Sequence, residues 1–280
     1  MAVTARNTAR GVCRMPRHRL GVGWPDLTVR RNAPAGRGTD SPISWSVCVR
    51  DSGGQVVYDH RPDTVLSTAS VGKLLLLIEV ARGLPLDRPC DRRDVEPVAD
   101  SGLWQHLRTD VLPAHDLAVL VASVSDNLAT NVLLHHVGLE RVAALGHELG
   151  LASTALHDMV RDVRTAAHPP RLSSGTAAEL SLLLHRLPGI DGGERVLDWM
   201  RTSADLSMVA SAFALDPLSH DGLVLRNKTG TDDGVRADVG VVNGCAYAVL
   251  ANWPPDEATV GEVLATMREL GDGIRAFVGN

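Results

Sequence analysis

Two groups of strand-like segments, separated by about 160 residues with a mostly helical pattern, restrict the folds that this chain can adopt. The first group forms a predicted β-hairpin with its turn at Ser52, Gly53 and Gly54. Strands are predicted over Ser44–Arg50, Gln55–Tyr58, Leu223–Thr229, Arg236–Val242 and Ala246–Ala251. Strands so far apart in the chain can join one antiparallel sheet if the helical region is inserted between them. The expected fold class is therefore α/β (α+β), an antiparallel sheet flanked by helices plus an inserted all-helical lobe.

The helical region begins with a strongly apolar segment, Ser67–Arg82, which has capping-type residues at its start. Further on, Thr176 and Glu179 have the spacing of a capping box. Further helices are predicted over Asp116–Val124, Asn127–Val137, Glu140–Leu149, Thr176–Arg186, Glu194–Arg201 and Glu257–Val278, the last with a candidate break at Gly271.

Residues 1–40 differ in composition from the rest of the chain. They carry eight arginines against two aspartates, several prolines and glycines, and no long apolar stretch. This pattern predicts an irregular basic N-terminal arm exposed to solvent, with contact to an acidic partner as the alternative. Residues 41–280 are expected to form the folded domain, with one lobe from about 41–66 and 215–280 and a helical lobe from about 67–214.

Composition excludes several classes of protein. The net charge of -5 and the nine aromatic residues give no footprint for nucleic-acid binding. Apolar runs such as Leu74–Ile78 are far too short to span a membrane, and no signal-peptide stretch is visible, so a cytoplasmic location is expected. The four cysteines lack metal-ligand spacing and are expected to be buried thiols. No metal or organic cofactor is implied, and the oligomeric state is left open.

The two lysines are the most informative single residues. Lys and Arg together number 28, yet the only lysines are Lys73 and Lys228. Arg cannot release its proton or act as a compact ammonium group, whereas Lys can do both. Both lysines are therefore candidates for chemistry, with chance survival on the surface as the alternative.

Ser70 and Lys73 place a hydroxyl and an amine three residues apart at the start of a helix, so that both lie on one face. A serine becomes a nucleophile when a neighbouring base takes its proton, and a buried Lys next to a second cation can be that base. The alternative is an ordinary helix cap followed by a solvated Lys.

Two further motifs follow in the chain. Ser125, Asp126 and Asn127 offer a hydroxyl and an amide between two helices, although a plain helix N-cap is the alternative. The strand segment Lys228–Thr231 contains Gly230, which permits close approach of a ligand backbone. Arg236, eight residues after Lys228, can add a bidentate contact to a carboxylate. The alternative for this segment is a simple strand end and turn.

The ordered set S-x-x-K, S-D-N and K-T-G resembles class A β-lactamases and penicillin-binding proteins. The resemblance covers about residues 42–280 and includes the helix after S-D-N, the segment Val196–Met200 and the segment from Lys228 to Arg236. It implies an α/β lobe combined with an all-helical lobe, which agrees with the order of strands and helices.

The resemblance also implies roles for matching residues. Ser70 would be acylated, Lys73 would accept or relay its proton, and Ser125 would protonate the leaving nitrogen. Asn127 would hold Lys73 and a substrate amide. The backbone N–H groups of Ser70 and Thr231 would form the oxyanion hole. Residues expected to bind the substrate carboxylate are Lys228, Thr229 and Arg236. Trp104 is a candidate wall of the cleft, with a plain core position as an equal alternative.

The loop before the capping-box helix departs from the class A pattern. Class A enzymes carry a deacylating glutamate there, and the best register places Val160 at that position. Asp158 and Asp162 are candidate substitute bases, although each is one methylene shorter and ordinary loop or cap roles are the alternative. Arg164 stands where the class A pattern has an asparagine.

The leading functional hypothesis is a serine hydrolase that acts through an acyl-enzyme on Ser70, with weak deacylation. Its small-molecule substrate would be a β-lactam or a carboxylate-bearing ester or amide. The alternatives are a stably acylated β-lactam sensor or sink and a cytoplasmic esterase. A D,D-peptidase and a catalytically silent scaffold are less favoured.

Overall fold

The structure is a computed structural model that describes residues 23–27, 43–218, 225–255 and 257–279. Most of the basic arm, Cys13 and the first two residues of the strand predicted from Leu223 lie outside the described residues.

A five-stranded antiparallel sheet forms the centre of the molecule. Its strand order is β2-β1-β10-β9-β8, and β1 and β10 pair with Val47 opposite Val249. The strands of this sheet are β1 (Ser44–Arg50), β2 (Val56–His60), β8 (Leu225–Asp232), β9 (Val235–Val242) and β10 (Cys245–Asn252). The predicted joining of the two strand groups into one sheet is therefore confirmed.

Short strands and seven α-helices complete the described fold. The short strands are β3 (Leu66–Ser67), β4 (Pro89–Asp91), β5 (Val111–Pro113), β6 (Ala155–Leu156) and β7 (Ser173–Gly175). The helices are α1 (Lys73–Gly83), α2 (Ala114–Val124), α3 (Asn127–Val137), α4 (Leu139–Glu148), α5 (Ala177–Arg186), α6 (Gly193–Met200) and α7 (Glu257–Val278). Within the described ranges, no helix is both long enough and apolar enough to span a membrane. The cytoplasmic location stays a prediction.

Two hydrophobic cores lie on opposite faces of the sheet. Along β10, Ala248 and Leu250 belong to the core shared with the helices, whereas Tyr247 and Val249 belong to the core beneath α7. This alternation follows from the two-residue period of a strand. Because both faces are covered, the central strands are apolar at nearly every position.

The division of the chain near residues 66 and 215 stays a prediction. α5 lies inside the predicted helical lobe, yet it packs against β1, β9 and β10 of the sheet. The capping box at its start forms only in part: Thr176 Oγ1 accepts a hydrogen bond from Glu179 N at 3.2 Å. The Glu179 carboxylate instead accepts from Ala152 N and Ser153 N, and so anchors the preceding loop.

The first predicted helix begins later than the sequence suggests. A 3-10 turn covers Ala69–Gly72, and no side chain caps either this turn or α1. Thr68 Oγ1 lies 2.7 Å from Ser173 Oγ, so the hydroxyl expected to cap the helix joins the turn to β7. At the other end of the chain, α7 runs unbroken through Gly271. A side chain there would overlap the Val209 carbonyl, so close packing accounts for this glycine.

The prediction of a wholly solvated arm is wrong for residues 23–27. The Trp24 ring stacks on Tyr58 with centroids 4.6 Å apart, and Tyr58 Oη donates to Pro25 O at 2.9 Å. Leu27 is buried in the core beneath α7, and Trp24 fills the space that a side chain at position 273 would need. One aromatic and one aliphatic anchor thus attach this short segment to the domain.

Replacing Trp24 with Ala is expected to lower the free energy of unfolding by about 2 kcal/mol, because a half-buried stacked ring is lost. Trp24→Phe retains a ring and is expected to cost less than half as much. Urea unfolding measures both changes. Equal stability of Trp24→Ala and the parent protein would show that the segment contributes nothing to the fold.

Candidate active site

Ser70 lies in the 3-10 turn before α1, and the backbone around it is tightly constrained. The preceding residue, Ala69, has a φ of 45°, in the left-handed region that L-residues rarely occupy. Side chains at Gly72 and Gly230 would overlap Ser173 on one side of the turn and the Thr68 carbonyl on the other. The turn is therefore held between β7 and β8, which positions the Ser70 hydroxyl at the surface of the cleft.

Ser125 follows the end of α2 and also has a left-handed backbone, with φ 57° and ψ 34°. The next residue, Asp126, is the N-cap of α3 and accepts a hydrogen bond from Ala129 N at 2.9 Å. Its second oxygen accepts from Leu103 N and Trp104 N at 2.7 and 2.8 Å. The N-cap alternative is thus correct for Asp126, while Ser125 is left pointing toward the lysines.

Lys73 is fully buried at the start of α1. Its Nζ donates to Ser125 O at 2.7 Å and to Asn127 Oδ1 at 2.8 Å, and it lies 3.3 Å from Ser125 Oγ. The Asn127 side-chain nitrogen donates to Ala99 O at 3.0 Å, which orients the amide. Asn127 therefore occupies the position next to Lys73 that the resemblance implies.

Lys228 approaches the same hydroxyl from the sheet. It is 1% exposed, and its Nζ donates to Ser125 Oγ at 3.0 Å and to Thr229 O at 2.8 Å. Ser125 Oγ therefore lies between two buried amines that come from different parts of the chain. The two lysines selected by residue type are brought together around a single serine.

Burial lowers the pKa of both amines. It holds the pKa of Lys73 well below its usual range, and the nearby Lys228 lowers it further, against opposing effects of Asp126 and Asp100. Burial lowers the pKa of Lys228 to about 8, although Asp205 and Asp238 act in the opposite direction. The pair can therefore exist near neutral pH with Lys73 as the neutral amine and Lys228 as the ammonium.

A cleft of about 570 Å³ opens above these groups. Predicted residues that line it are Ser70, Ser125, Asn127, Lys228, Thr229 and Thr231. Gly230 lies just behind it, and the expected reason for this glycine is corrected. Here the approaching backbone belongs to the Ser70 turn, since a Cβ on Gly230 would lie 3.1 Å from Ser70 N and overlap Thr68 O.

Trp104 does not wall the cleft. Its side chain is completely buried, and its Nε1 donates to Thr109 O at 3.0 Å. The core alternative is correct, because the bond from Trp104 N to Asp126 turns this segment inward. Spacing alone could not distinguish the two positions.

Arg236 is also absent from the lining of the cleft. It pairs with Thr231 across β8 and β9, and its Nη1 donates to Asp232 O and Val235 O at 3.1 and 2.7 Å. The guanidinium lies 5.9 Å from the centroid of the Trp253 ring. In this arrangement the backbone of the β8–β9 turn accepts from Nη1 alone, and the expected contact of Arg236 with a substrate carboxylate stays a prediction.

The two candidate substitute bases lie in a different cavity. Asp158 is buried and bonded to Arg161 Nε at 2.8 Å and Arg164 Nη1 at 2.7 Å. Burial alone would raise the pKa of Asp158, but the hydrogen bonds from both arginines outweigh it and lower the pKa. Asp162 accepts from Ala99 N at 2.9 Å. Both aspartates line a second cavity behind the loop and do not line the Ser70 cleft.

Val160 occupies the centre of that loop and is held by its backbone. Its N donates to Asn131 Oδ1 at 2.8 Å, and its O accepts from Asn131 Nδ2 at 2.9 Å. Asn131 is four residues after Asn127 on α3, so the loop is tied directly to a helix of the active site. The side chain of Val160 at the centre of this loop carries no group that can act as an acid or a base.

Sequence reasoning missed a buried carboxylate behind the K-T-G strand. Asp238 of β9 is completely buried, and it accepts hydrogen bonds from Tyr247 Oη at 3.1 Å and Asn227 Nδ2 at 3.3 Å. Burial raises the pKa of Asp238 to about 7. An acidic residue within the otherwise largely apolar strand from 235 to 242 was the available signal.

Two other missed residues, Asp100 and Asp205, line the cleft itself. Asp100 has a φ of 67° and is exposed, whereas Asp205 is half-buried and accepts hydrogen bonds from Ser207 N and Oγ. No motif marks either residue, since their positions depend on loop conformation.

Comparisons with known proteins agree with this arrangement. The β-lactamase from Sphaerobacter thermophilus DSM 20745 matches with a TM-score of 0.72 and 22% identity, covering 85% of this chain and 92% of that chain. A PBP-A point mutant in an acyl-enzyme complex with penicillin G gives 0.69 and 20%, covering 85% and 91%. The class A β-lactamase from Mycobacterium abscessus gives 0.67 and 21%, covering 84% and 94%. These likenesses confirm the predicted fold class.

No curated protein was found to match the chain in sequence. The sequence model of the β-lactamase enzyme family, however, matches residues 32–274, which includes the Ser70 turn, both lysines and the whole sheet. Fold, motif order and family match lead to the same assignment. The chain therefore belongs to the β-lactamase enzyme family.

Proposed function

We propose that the protein is a serine hydrolase that forms an acyl-enzyme on Ser70 and releases it slowly. Its substrates would be β-lactams or esters and amides that carry a carboxylate. The observation that carries this proposal is the placement of Ser125 Oγ between the buried amines of Lys73 and Lys228, next to the Ser70 turn. Burying two amines beside one hydroxyl lowers the stability of the fold. The same arrangement is suited to proton transfer, which gives a reason for its presence.

Lys73 would be the base that activates Ser70. A neutral amine has two N–H bonds, and the carbonyl of Ser125 and the side-chain oxygen of Asn127 accept both. Its lone pair is then free to take the Ser70 proton as Oγ attacks the substrate carbonyl carbon. Burial and the nearby Lys228 lower the pKa of Lys73, which favours this neutral form.

Ser125 would complete the proton transfer. When the bond from the carbonyl carbon to the leaving nitrogen or oxygen breaks, the leaving atom needs a proton. Ser125 Oγ would donate it and regain one from Lys73, whose Nζ lies 3.3 Å away. Lys228 donates to the same oxygen and so stabilises any negative charge that develops there. The net result is an ester on Ser70 and a protonated leaving group.

Backbone N–H groups of Ser70 and Thr231 would stabilise the developing oxyanion. The close approach of Gly230 to Ser70 N supports this pairing, because it brings the two segments side by side. Lys228 and Thr229 would bind a substrate carboxylate, since both line the cleft on the sheet side. Arg236 is not assigned a part in this binding.

Slow deacylation is proposed because the loop lacks a base that reaches Ser70. Val160 has no titratable group, and the carboxylate of Asp158 is engaged in ion pairs with Arg161 and Arg164. The acyl-enzyme of the PBP-A mutant with penicillin G supports a penicillin as the first substrate to test. A permanent acyl-enzyme would make the protein a sensor or sink, and exclusive reaction with esters would make it an esterase.

Intact mass spectrometry after mixing with a penicillin is expected to show one covalent adduct on Ser70 that persists for minutes or longer. Ser70→Ala is the control and is expected to show none. An adduct that forms and clears within seconds would contradict slow deacylation. Absence of any adduct with penicillins, cephalosporins and carboxylate-bearing esters would contradict the proposed function.

Lys73→Arg is expected to slow acylation about a thousandfold, because Arg keeps its proton at every accessible pH. Lys73→Met, similar in length and uncharged, is expected to give the same loss, which separates the missing base from any effect of the larger guanidinium. Thermal unfolding verifies that both variants fold. Acylation at the parent rate by a folded Lys73→Met protein would refute the role of Lys73.

The pH profile of acylation is expected to be bell-shaped in the parent protein. The rate rises with pH as Lys73 loses its proton and falls above about pH 8, where Lys228 loses the charge that binds the carboxylate. A rate that still rises between pH 8 and 10 would exclude the requirement for a charged Lys228. Stopped-flow measurement with a chromogenic cephalosporin gives this profile.

Gly230→Ala is expected to lower the acylation rate about a hundredfold, because its Cβ would push β8 away from the Ser70 turn and open the oxyanion hole. Gly261→Ala is the matched control: nothing lies within 4 Å of the added Cβ, and a helix favours Ala. A Gly230→Ala protein that acylates at the parent rate would show that strand and turn need not touch.

A further inference from the structure

The charges around the cleft are distributed unevenly. Its ionisable lining residues, within the described part of the chain, are Asp100, Asp205 and Lys228. Asp205 lies on the sheet side with Lys228, where Asn227 Nδ2 donates to Asp205 O at 3.2 Å and Asp205 acts on the pKa of Lys228. These two opposite charges offset each other. Asp100 stands on the other side of the cleft, next to the segment that contacts Asn127.

The backbone on both sides of Asp100 is fixed by hydrogen bonds. Ala99 donates from its N to Asp162 at 2.9 Å and accepts at its O from Asn127 Nδ2 at 3.0 Å. Ser101 accepts at its O from Asn127 N at 2.9 Å, and its hydroxyl donates to Val124 O at 2.9 Å. The lip of the cleft, residues 99–101, is therefore attached to the S-D-N motif and to the Val160 loop.

The Asp100 carboxylate is exposed and has no hydrogen bond or ion pair within the described residues, although its backbone O accepts from Gln105 Nε2. Its left-handed backbone is one that Asp and Asn tolerate better than most residues. Its charge also acts on Lys73. An unpaired acceptor on a hydrogen-bonded stretch of backbone at the lip of a binding cleft is suited to recognise a cation on a ligand.

We propose that Asp100 makes the cleft selective for acyl donors that carry an ammonium group on the part that stays attached to Ser70. The leaving group would lie toward Ser125, Lys228 and Thr229, so the acyl side would extend toward Asn127 and the lip. This inference rests on the proposed acyl-enzyme chemistry and names a substrate class for it, an amine-bearing acyl compound with a carboxylate on its leaving side.

The test compares acylation rate constants for three penicillins that share one core. Ampicillin carries an α-ammonium group, benzylpenicillin has no charge there, and carbenicillin carries a carboxylate. The expected order is ampicillin, then benzylpenicillin, then carbenicillin, with about a tenfold difference between the first and last. Raising the salt concentration to 1 M is expected to shrink this ratio, since ions screen exposed charges.

Asp100→Asn is expected to abolish the charge order while keeping the fold, because Asn also tolerates a left-handed backbone. Glu96→Gln is the matched control: it removes the same charge four residues earlier, at an exposed position outside the cleft, and is expected to leave the order intact. Equal rates for all three penicillins, or an unchanged order in Asp100→Asn, would overturn the inference alone. Absence of labelling by every penicillin would overturn the proposed β-lactam chemistry and this inference with it.

Discussion

The confinement of two lysine side chains around one serine hydroxyl is the interaction on which the rest of this structure depends. Removing two amines from water is unfavourable, and placing them near each other adds repulsion. The molecule offsets this cost with oxygen acceptors supplied by Ser125, Asn127 and Thr229, and burial lowers the pKa of both amines. Each of these acceptors comes from a different element, so the site forms only when the helices α2 and α3 and the sheet are packed together correctly.

Two left-handed residues make that docking possible. Ala69 turns the chain sharply between β3 and α1, and Ser125 turns it between α2 and α3. Neither residue is glycine, so each conformation carries strain that the surrounding contacts must hold. The turn at Ala69 is held by β7 and β8, while Asp126 holds the other by capping α3. Strain and proton-transfer groups thus occur at adjacent positions in the chain.

The sequence could predict most of the fold and most of the residues that meet at the cleft, because both depend on local patterns. Alternate residues of the central strands enter the two cores on opposite faces of the sheet, as the strand period predicts. Lys73 and Lys228 stand out because the sequence contains no other lysine. Roles that depend on the direction of a side chain were harder to predict from the sequence. Arg236 and Trp104 have the expected spacing, yet one is held by turn carbonyls and the other lies in the core. The choice between a base and a loop role for Asp158 could not be made from the sequence, because its partners, two arginines on the same loop, are apparent only when the loop is folded.

Asp126 has a consequence for how proteins of this architecture can diversify. One of its oxygens begins α3 and the other binds the backbone at Leu103 and Trp104, while the glycine at 102 leaves no room for a side chain against it. A single carboxylate thereby joins Ser125 to the rim of the cleft, here residues 99–104. An exposed rim side chain such as that of Asp100 can be exchanged without disturbing these bonds, whereas insertions or deletions there would shift Ser125 as well. New specificities in this lineage should therefore arise by exchange of rim side chains rather than by change of rim length.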